Sequence, residues 1–560
     1  MSELPTVRRI VVVGASGVFG ARLSAMIARW PDAVLVLAAR RTGPLEALKA
    51  DLAKTASARI ETAAFDRDAP DMSERLAALT PWAVADAAGP FQGAGYDLAR
   101  AALAARAHYV DIADGRAFVA GFGDALDAQA RAAGKVAVTG ASSTPALTHA
   151  ALERMTEGWT RIDTVSAAIS PGSRAPRGVS AIRAALSWTG RPIRVFDQGA
   201  WTQAPGWSLT RRLTYPGLGR RWASLAETPD LDLMPARLHP RRSAVMRAGL
   251  ELSILHLGLW ALSWPVRWGW LKSLIPFAEP LRRGAGLTAP FGSDRGGMVV
   301  EADGLGPLGE RRWARWSLAA EPGAGPSTPA APAAAVLRAL LDGVPLDPGA
   351  GPCVGLVTLD AITAQLSALP IATRLEAARP DAPGLFPRLL ADFDTLPDPV
   401  RWTHSGQATA SQGRAVARGS GGPAALVRLV LGLPGKGRHT ARVEITPRKN
   451  GAERWTRRFG TSRFQSRLAP VAGDPGAFDE TAGPISFRFR PVPRPDGFDW
   501  LLDGWRLGPI PLPRAWGPKV RGRSFARDGV YRFSVLVAHP LVGLVFAYAG
   551  RLSPAEMTTP

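Results

Sequence analysis

A short run of β-branched residues that passes directly into a glycine-rich turn and then a helix is the feature that most constrains this chain. Arg9–Val13 predicts a buried strand, and residues 21–30 predict a helix. The turn between them consists of Gly14, Ala15, Ser16, Gly17, Val18, Phe19 and Gly20. This order of strand, turn and helix is typical of a dinucleotide-binding βαβ unit, although the spacing is GxxGxxG rather than GxGxxG.

Each glycine of this turn has a physical role in such a unit. Gly14 permits the tight turn, Gly17 lets the backbone approach a pyrophosphate, and Gly20 lets the helix pack closely on the strand. The N-terminus of the helix offers free N–H groups and the positive end of its dipole to the phosphates. We therefore expect the turn to bind the pyrophosphate of a dinucleotide cofactor.

The end of the second strand indicates which dinucleotide. The apolar run 34–39 ends in Arg40 and Arg41, and no Asp or Glu stands at this strand end. An acidic residue there would receive the ribose 2′-hydroxyl of NAD, whereas an Arg accommodates the 2′-phosphate of NADP. The sequence favours NADP; the alternative is that both Arg side chains only coat the surface.

Strands and helices alternate through the first 150 residues. Strands are predicted over 59–65, 82–88, 108–112 and 135–139, with helices over 96–107 and 124–133. This alternation predicts an α/β, Rossmann-like parallel sheet over residues 1–150, and ligands bind such sheets at the carboxyl ends of the strands. The candidate residues at these ends are Asp66, expected to face the adenine, and Ala88, Gly89, Pro90, Phe91, Asp111 and residues 142–145.

Residues 8–150 resemble the NADP-binding domain of the saccharopine dehydrogenase family. The resemblance is carried by Gly14–Gly20, by Ala88-Gly89-Pro90-Phe91, by His108-Tyr109-Val110-Asp111 and by residues 140–145. The family includes saccharopine-forming and saccharopine-cleaving enzymes, related oxidoreductases of unknown substrate, and trans-acting enoyl reductases that work on lipids. Membership implies the fold and a nicotinamide cofactor, NADP, and leaves the substrate open.

Residues 151–375 are similar to the second, substrate-binding domain of the same family, a mixed α+β unit that closes over the nicotinamide. Glu227-Thr228-Pro229-Asp230 and residues 351–359 carry this similarity. The stretch 321–327 has the composition of a linker, but a helical pattern follows at 333–341. We therefore interpret 321–327 as a loop inside the domain.

Within that domain, residues 248–281 form an apolar, Trp-rich segment with basic residues at its edges. Between Arg247 and Arg267 the only charged residue is Glu251, but Pro265 and His256 weaken the pattern of a spanning helix. Apolar, Trp-rich segments with basic edges are typical of interfacial membrane anchors. The alternatives are a membrane-surface or lipid-facing element, a buried core or dimer interface, and a true membrane span.

Residues 385–555 predict a mainly antiparallel β domain with a basic surface. Strand-like runs are separated by Gly, Pro and Asp turns, and residues 401–560 contain 25 Lys and Arg against 10 Asp and Glu. Arg alternates with aromatic residues in 455–464 and 487–490, which predicts that the two classes lie on opposite faces. A stacking platform for bases is then not expected, and neither is nucleic acid as a partner.

This last part resembles a bacterial domain of unknown function, DUF4166, which is often found behind saccharopine dehydrogenase-like domains. The matching features are residues 455–459, 507–513, 528–529 and 540–545, with Tyr548 and Gly550. The resemblance implies no activity. An apolar β cup with a basic surface would suit a lipid-like ligand.

Hydride transfer to a carbonyl, imine or enoyl group needs a proton donor near the carboxyl edge of the first sheet. Asp111 and Tyr109 are the candidate catalytic residues, because they project two positions apart from the same face of one strand. The alternatives are a packed aromatic for Tyr109 and a cap or turn residue for Asp111. No metal-ligand set stands out, and Cys353, the single cysteine, is expected to be structural.

Composition bounds the compartment and the partners. The single cysteine excludes a disulfide framework and fits a reducing compartment, and no apolar signal segment precedes the first strand. Among 68 Lys and Arg only 7 are Lys, which suggests a GC-rich bacterial genome. We expect a cytoplasmic protein, with a peripheral position at the inner membrane and a homodimer left open.

Three functions are consistent with the sequence. The first is an NADP-dependent oxidoreductase that acts on an apolar or lipid-linked substrate at a membrane surface. The second is a soluble amino-acid-type dehydrogenase, for which Arg174, Arg177 and Arg183 would be carboxylate contacts. The third is a non-enzymatic protein that binds NADP and a lipid or partner.

Overall fold

The computed structural model describes residues 8–176, 179–306, 311–377, 384–406, 409–430, 433–448 and 451–555. The chain divides into two compact units. The first extends to Gly304 and also includes Ala314–Glu376, and the second comprises Leu305–Trp313 and the chain from Ala377 onward.

The first unit begins with a parallel sheet whose inner strands are mostly buried, as their apolar sequences predict. Its first strands are β1 (Arg8–Val13), β2 (Ala33–Ala39), β3 (Arg59–Ala64), β4 (Ala83–Asp86), β5 (His108–Asp111) and β6 (Val136–Thr139). The helices that follow them are α1 (Val18–Ile27), α2 (Thr42–Leu52), α3 (Met72–Ala78), α4 (Asp97–Ala104), α5 (Arg116–Ala133) and α6 (Thr148–Thr156). A short helical segment, Ser143–Leu147, precedes α6.

The middle of the chain adds a second set of strands and helices. Its strands are β7 (Arg161–Ser170), β8 (Pro192–Asp197), β9 (Ala200–Pro205), β10 (Arg211–Tyr215), β11 (Gly219–Leu225), β12 (Ser243–Ala248), β13 (Gly296–Leu305), β14 (Arg311–Ala320), β15 (Gly349–Pro352) and β16 (Ile371–Ala377). Its helices are α7 (Val179–Trp188), α8 (Asp230–Leu238), α9 (Ser253–Arg267), α10 (Ala278–Thr288), α11 (Ala331–Leu341) and α12 (Leu359–Ala364). All these strands except β15 form one mixed sheet, in which β12 pairs in parallel with β7 and antiparallel with β11.

Strand β15 returns to the first sheet. It pairs in parallel with β6, so the described part of the first sheet has seven strands in the order β3, β2, β1, β4, β5, β6, β15. The strand order reverses between β1 and β4, which are neighbours in the sheet. A doubly wound sheet binds its ligand at this point. The predicted Rossmann-like sheet is confirmed.

The apolar segment around α9 and α10 presents large side chains to the outside. Trp270 is 74% exposed, Leu287 81% and Phe291 83%, and Ile254 and Trp268 are also exposed. These exposures are incompatible with a buried core for this face, whereas Val266 and Leu274 on the other face are buried with Leu186 of α7. Within the described residues, no helix is long and apolar enough to cross a membrane.

The second unit is built on antiparallel strands. They are β17 (Thr409–Arg418), β18 (Gly437–Pro447), β19 (Glu453–Phe459), β20 (Ser462–Val471), β21 (Asp474–Ala482), β22 (Ile485–Arg494), β23 (Gly497–Leu507), β24 (Ile510–Leu512), β25 (Lys519–Arg527), β26 (Val530–His539) and β27 (Gly543–Ala555). The accompanying helices are α13 (Leu385–Leu389), α14 (Asp398–His404) and α15 (Pro423–Val430). Among the described strands, ten close into a barrel through the pairing of β22 with β23, and β24 extends β23.

Aromatic side chains fill the barrel. Trp455 on β19 and Trp500 on β23 have ring centroids 5.8 Å apart although their strands are not neighbours, so they meet across the interior. Phe386 of α13 packs on both rings. The prediction of a mainly antiparallel β domain is confirmed.

One expectation about this barrel is wrong. Arg457 does not lie on the face opposite the aromatics of β19; it is buried among them, with its guanidinium 4.8 Å from the Trp455 ring and 3.0 Å from Glu480. Period-two alternation places residues 455, 457 and 459 on one face, so this Arg shares the aromatic face. The alternation does hold on β22, where Arg488 binds Asp479.

Candidate cofactor and active site

The glycine turn has the close backbone packing that the sequence predicts. Gly14 has a φ of 77°, and a Cβ there would lie 2.8 Å from the backbone of Ala88. A Cβ on Gly20 would lie 2.1 Å from the carbonyl oxygen of Gly14, so only glycine lets α1 approach β1 this closely. The Gly17 N–H donates to the Gly14 carbonyl over 2.9 Å, which closes the turn.

The start of α1 fits a phosphate group. The helix begins at Val18 with no side-chain cap on its free N–H groups, and its first donor with an intrahelical acceptor is Ala21. Residues 16–19 are exposed, whereas Ala15 and Gly20 are buried. Of the predicted turn residues, Ser16, Gly17, Val18 and Phe19 therefore offer the accessible surface, and a pyrophosphate would lie against them.

Arg40 and Arg41 lie exposed at the carboxyl end of β2, next to the turn. Within the described residues neither forms an ion pair, so both guanidinium groups are available to a phosphate. Asp66 lies half-buried after β3, where its carboxylate accepts a hydrogen bond from the Asp68 N–H over 3.2 Å. The three residues occupy neighbouring strand ends at one edge of the sheet.

The loop after β4 divides into exposed and buried parts. Gly89 and Pro90 are exposed and joined by a cis peptide bond. Ala88 is half-buried, and its N–H donates to Asp86 over 2.9 Å. Phe91 is buried against Phe118, with ring centroids 5.3 Å apart, so its side chain anchors the loop.

The last residue of β4, Asp86, was not identified from the sequence. It is buried and accepts hydrogen bonds from Arg67 at 3.1 Å and from the Tyr109 hydroxyl at 3.3 Å. Burial raises the pKa of Asp86, and the nearby Arg67 opposes that rise. Burial also raises the pKa of Tyr109 well above its usual value, so this hydroxyl stays protonated at neutral pH.

Asp86, Tyr109 and Arg67 border a cavity of about 1070 Å³ that is also lined by residues of α3 and α4. Tyr109 is thus buried from bulk solvent yet borders a space large enough for a small molecule. Asp111, the other candidate catalytic residue, does not line this cavity.

Asp111 connects the ends of two strands instead. Its Oδ1 accepts hydrogen bonds from the Thr139 hydroxyl at 2.9 Å, the Gly140 N–H at 2.8 Å and the Ala113 N–H at 2.9 Å. Its Oδ2 is buried and has no partner among the described residues. Burial raises the pKa of Asp111 to about 7, because the backbone donors only partly offset the desolvation of the charge. The structure therefore places Asp111 beside Asp86, but in a separate hydrogen-bond network.

A second buried pair lies where the segment after β6 meets α8. His149 on α6 and Asp230 at the start of α8 are both fully buried. His149 Nδ1 lies 2.9 Å from the Pro145 carbonyl, and Asp230 accepts from the Thr228 hydroxyl at 3.0 Å. Burial raises the pKa of Asp230, and the charge of His149 opposes the rise. Sequence reasoning singled out both segments but missed that they meet.

Other candidate residues lie apart from this edge. Arg174 and Arg183 are exposed, and Arg177 lies outside the described residues. Cys353 is buried, and burial raises the pKa of its thiol. The described residues contain no group of three or more His, Cys, Asp or Glu side chains placed to hold a metal ion.

Two family models match this chain. Residues 10–138 match "Saccharopine dehydrogenase NADP binding domain", and residues 396–552 match "Domain of unknown function (DUF4166)". No curated protein matches the chain significantly. The first match supports an NADP-dependent oxidoreductase and agrees with the exposed turn and the two Arg residues at the end of β2.

Solved structures to which this chain is similar include apo saccharopine dehydrogenase (L-Glu forming) from Saccharomyces cerevisiae. It is 13% identical with a TM-score of 0.47, and the match covers 66% of this chain and 100% of that chain. The DAP dehydrogenase of C. glutamicum, solved with DAP, is 15% identical with a TM-score of 0.35, covering 65% and 99%. The family matches, and not these distant likenesses, identify the domains.

Proposed function

Residues 10–138 of this chain belong to the saccharopine dehydrogenase NADP-binding domain family and residues 396–552 to DUF4166, and from this premise we propose a specific reaction. The chain reduces a carbonyl, imine or enoyl group of an apolar or lipid-linked substrate near a membrane surface. The observation that carries the proposal is the exposed apolar face of α9 and α10, in the same compact unit as the nucleotide-binding turn.

NADPH, when bound, supplies the hydride. In this proposal the Gly14–Gly20 turn holds the pyrophosphate, and Arg40 and Arg41 hold the 2′-phosphate. The Tyr109 hydroxyl is the proton donor, because it stays protonated at neutral pH and borders the cavity. Asp86 holds that hydroxyl by accepting a hydrogen bond from it, and the same O–H turns from Asp86 to the substrate when it donates its proton.

Asp111 has a positioning role in this scheme. It holds the end of β6 through the Thr139 hydroxyl and the Gly140 N–H, and so fixes the segment that leads to Ser143. In this proposal Asp111 does not touch the substrate and acts only through the geometry of the loop after β6. Its loss would change substrate binding and turnover together.

The membrane-facing part of the proposal depends on the patch formed by residues 254–291. Trp268, Trp270, Leu287 and Phe291 are exposed, and a soluble surface rarely leaves so many large apolar side chains in water. Burial of apolar surface contributes about 25 cal/mol of free energy per Å². This free energy favours insertion of the patch into a lipid interface.

The charges beside this patch favour an anionic surface over a second copy of the chain. Residues 253–291 contain Arg267, Lys272, Arg282 and Arg283 against a single acidic residue, Glu279. Two such patches facing each other would bring like charges together, whereas anionic lipid headgroups complement them. We therefore propose peripheral binding to an anionic membrane.

Vesicle flotation tests this. The full chain is expected to float with phosphatidylglycerol-containing vesicles, less with phosphatidylcholine alone, and Trp268→Ser/Trp270→Ser is expected to reduce flotation several-fold. Trp201→Ser is the matched control, because Trp201 is an exposed Trp on β9, outside the patch. Absence of flotation by the parent chain, equal flotation of the patch variant, or conversion of a dimer to a monomer by that variant would overturn the membrane proposal.

Substrate class is tested separately, by NADPH oxidation in the presence of the same vesicles. Long-chain enoyl and keto lipids carried in the bilayer are expected to be reduced, and the rate should fall in Trp268→Ser/Trp270→Ser. Oxidation of NADPH only with water-soluble keto acids plus amines would instead support the amino-acid-type dehydrogenase.

A further inference from the structure

The C-terminal barrel carries a cavity that none of the roles above uses. It has a volume of about 970 Å³ and is lined by β17, β22, β23, β25, β26 and β27. We propose that this cavity, here called the barrel groove, binds a fatty carboxylate, that is, one long aliphatic chain ending in a carboxylate group. The volume lies within the range of roughly 300–1,000 Å³ that holds one small-molecule ligand.

The floor of the barrel groove is made of small and apolar side chains. Ala549 on β27 pairs with Val416 on β17, and Ala547 pairs with Leu536 on β26. Val416 is exposed whereas its neighbour Ala417 is buried in the aromatic core, so alternation places the groove on the face opposite that core. The two alanines, flanked by longer side chains on both neighbouring strands, leave a trough along β27.

The apolar side chains of the groove are poorly covered by the protein itself. Leu501 is 58% exposed, and Val416 and Leu536 are exposed as well. Water contacts this surface when the groove is empty, so an aliphatic chain laid along the trough would remove apolar area from water on both partners. The exposed apolar surface of the trough is therefore the proposed contact for the aliphatic part of the ligand.

Two Arg side chains beside the trough are the proposed contacts for the carboxylate of the ligand. The strand register places Arg418 beside Ala547, Ala547 beside Leu536, and Leu536 beside Arg521, in one row across four strands. The two Arg residues thus flank the trough about 14 Å apart, at about 4.8 Å per strand. Both are exposed, and neither forms an ion pair within the described residues.

Other Arg residues of the same lining already have anionic partners. Arg494 lies 2.9 Å from Asp499, and Arg523 lies 2.9 Å from Asp496. Within the described lining of the groove, Arg418 and Arg521 are therefore the Arg side chains that have no acidic partner. A carboxylate at one end of an apolar ligand would accept charge-assisted hydrogen bonds there.

This inference does not depend on the oxidoreductase activity of the first domain. The probe is 11-(dansylamino)undecanoic acid, whose fluorescence rises when it enters an apolar site. Full-length protein is expected to bind it, oleate is expected to displace it, and methyl oleate, which lacks the charge, is expected to compete at least tenfold less well.

Two variants address the two halves of the site. Arg418→Gln/Arg521→Gln removes the positive charges and is expected to weaken probe binding by tenfold or more, because a hydrogen bond to a charged group contributes about 1.5–3 kcal/mol. Ala547→Trp fills the trough and is expected to abolish displacement by oleate. Arg388→Gln/Arg463→Gln is the control, with the same loss of charge at exposed positions on α13 and β20, outside the groove.

NADPH binding, measured on the same preparations, separates this inference from the proposed function. Intact NADPH binding together with lost probe binding in the groove variants supports the inference whether or not the chain reduces a lipid. The inference is overturned by absence of probe binding to the parent chain, by equal competition from oleate and methyl oleate, or by equal effects of the groove and control variants. It is also overturned if Trp268→Ser/Trp270→Ser, and not the groove variants, removes the probe.

Discussion

The guanidinium of Arg116 at the start of α5 binds the carboxylate of Asp232 on α8 through two hydrogen bonds, with 2.6 Å between Nε and Oδ2. The same guanidinium donates to the carbonyl of Arg194 on β8 over 2.9 Å. One side chain therefore joins the helix layer of the parallel sheet to two elements of the mixed sheet.

Arg116→Ala is expected to destabilise the first compact unit by about 1–2 kcal/mol, because it removes charge-assisted hydrogen bonds and leaves Asp232 partly buried without its partner. Calorimetric unfolding of the full chain measures the effect. Arg154→Ala is the control, since its pair with Glu157 is exposed and contributes about 0.5 kcal/mol or less. Equal losses in the two variants would show that the bridge between layers has no special importance.

Arg40→Ala/Arg41→Ala is expected to weaken NADPH binding by about 10- to 100-fold, as loss of a charge-assisted contact to phosphate predicts, and to change NADH binding little. Fluorescence titration of both nucleotides measures this difference. Arg29→Ala, an exposed Arg after the other end of α1, should leave both affinities unchanged. A parallel loss of NADPH and NADH binding would contradict a contact with the 2′-phosphate.

Gly20→Ala is expected to destabilise the chain by about 1–3 kcal/mol and to abolish NADPH binding, because the added Cβ would meet the Gly14 carbonyl at 2.1 Å and push α1 away from β1. Gly43→Ala supplies the comparison, since a Cβ at this helical position meets nothing within 4 Å. Thermal unfolding and NADPH titration of both variants check the prediction. Normal NADPH binding by Gly20→Ala would show that the close packing is dispensable.

Asp111 is expected to make a contribution to stability that is lost as pH rises from 5 to about 7. Its pKa is raised to about 7 in the folded chain, so the folded state holds a proton there that the unfolded chain, with a pKa near 3.8, has released. Stability contributed by this proton is therefore present at low pH and is lost as pH approaches 7.

Asp111→Asn isolates this contribution, because its Oδ1 can still accept from Thr139 and Gly140 and it cannot titrate. Between pH 5 and 6.5 the parent chain should lose about 1.4 kcal/mol per pH unit relative to the variant. Denaturation at several pH values measures the two slopes. Parallel pH profiles for the two proteins would mean that Asp111 is ionised in the folded state.

The sequence was sufficient for features that depend on local geometry. The glycine turn, the position of the Arg pair after β2 and the parallel direction of β1–β6 follow from the alternation of strands with helices and from the restricted backbone positions of Gly14 and Gly20, whereas the order of the strands was not predicted. The closed barrel was predicted only as antiparallel strands, because its closure depends on the pairing of β22 with β23 and not on either strand alone.

The site contained residues that no local pattern indicates. Asp86 acquires its role from Arg67 and Tyr109, which arrive on different elements. The face exposed by α9 was equally unpredictable, since the same apolar stripe suits a core, a partner or a bilayer. Arg457 was misplaced because charge alone was taken to indicate the outer face, whereas Glu480 and the aromatic rings make its burial tolerable.

The return of β15 to the edge of β6 has a consequence for the order of events during synthesis. The first sheet lacks its last strand until residue 352 has left the ribosome, about 200 residues after β6. Until then the edge of β6 is an open template for wrong pairing. Strands β7–β14 of the mixed sheet are thus inserted within the nucleotide-binding fold, whereas β16 follows β15, and a fragment that ends near residue 150 would expose the unpaired edge of β6.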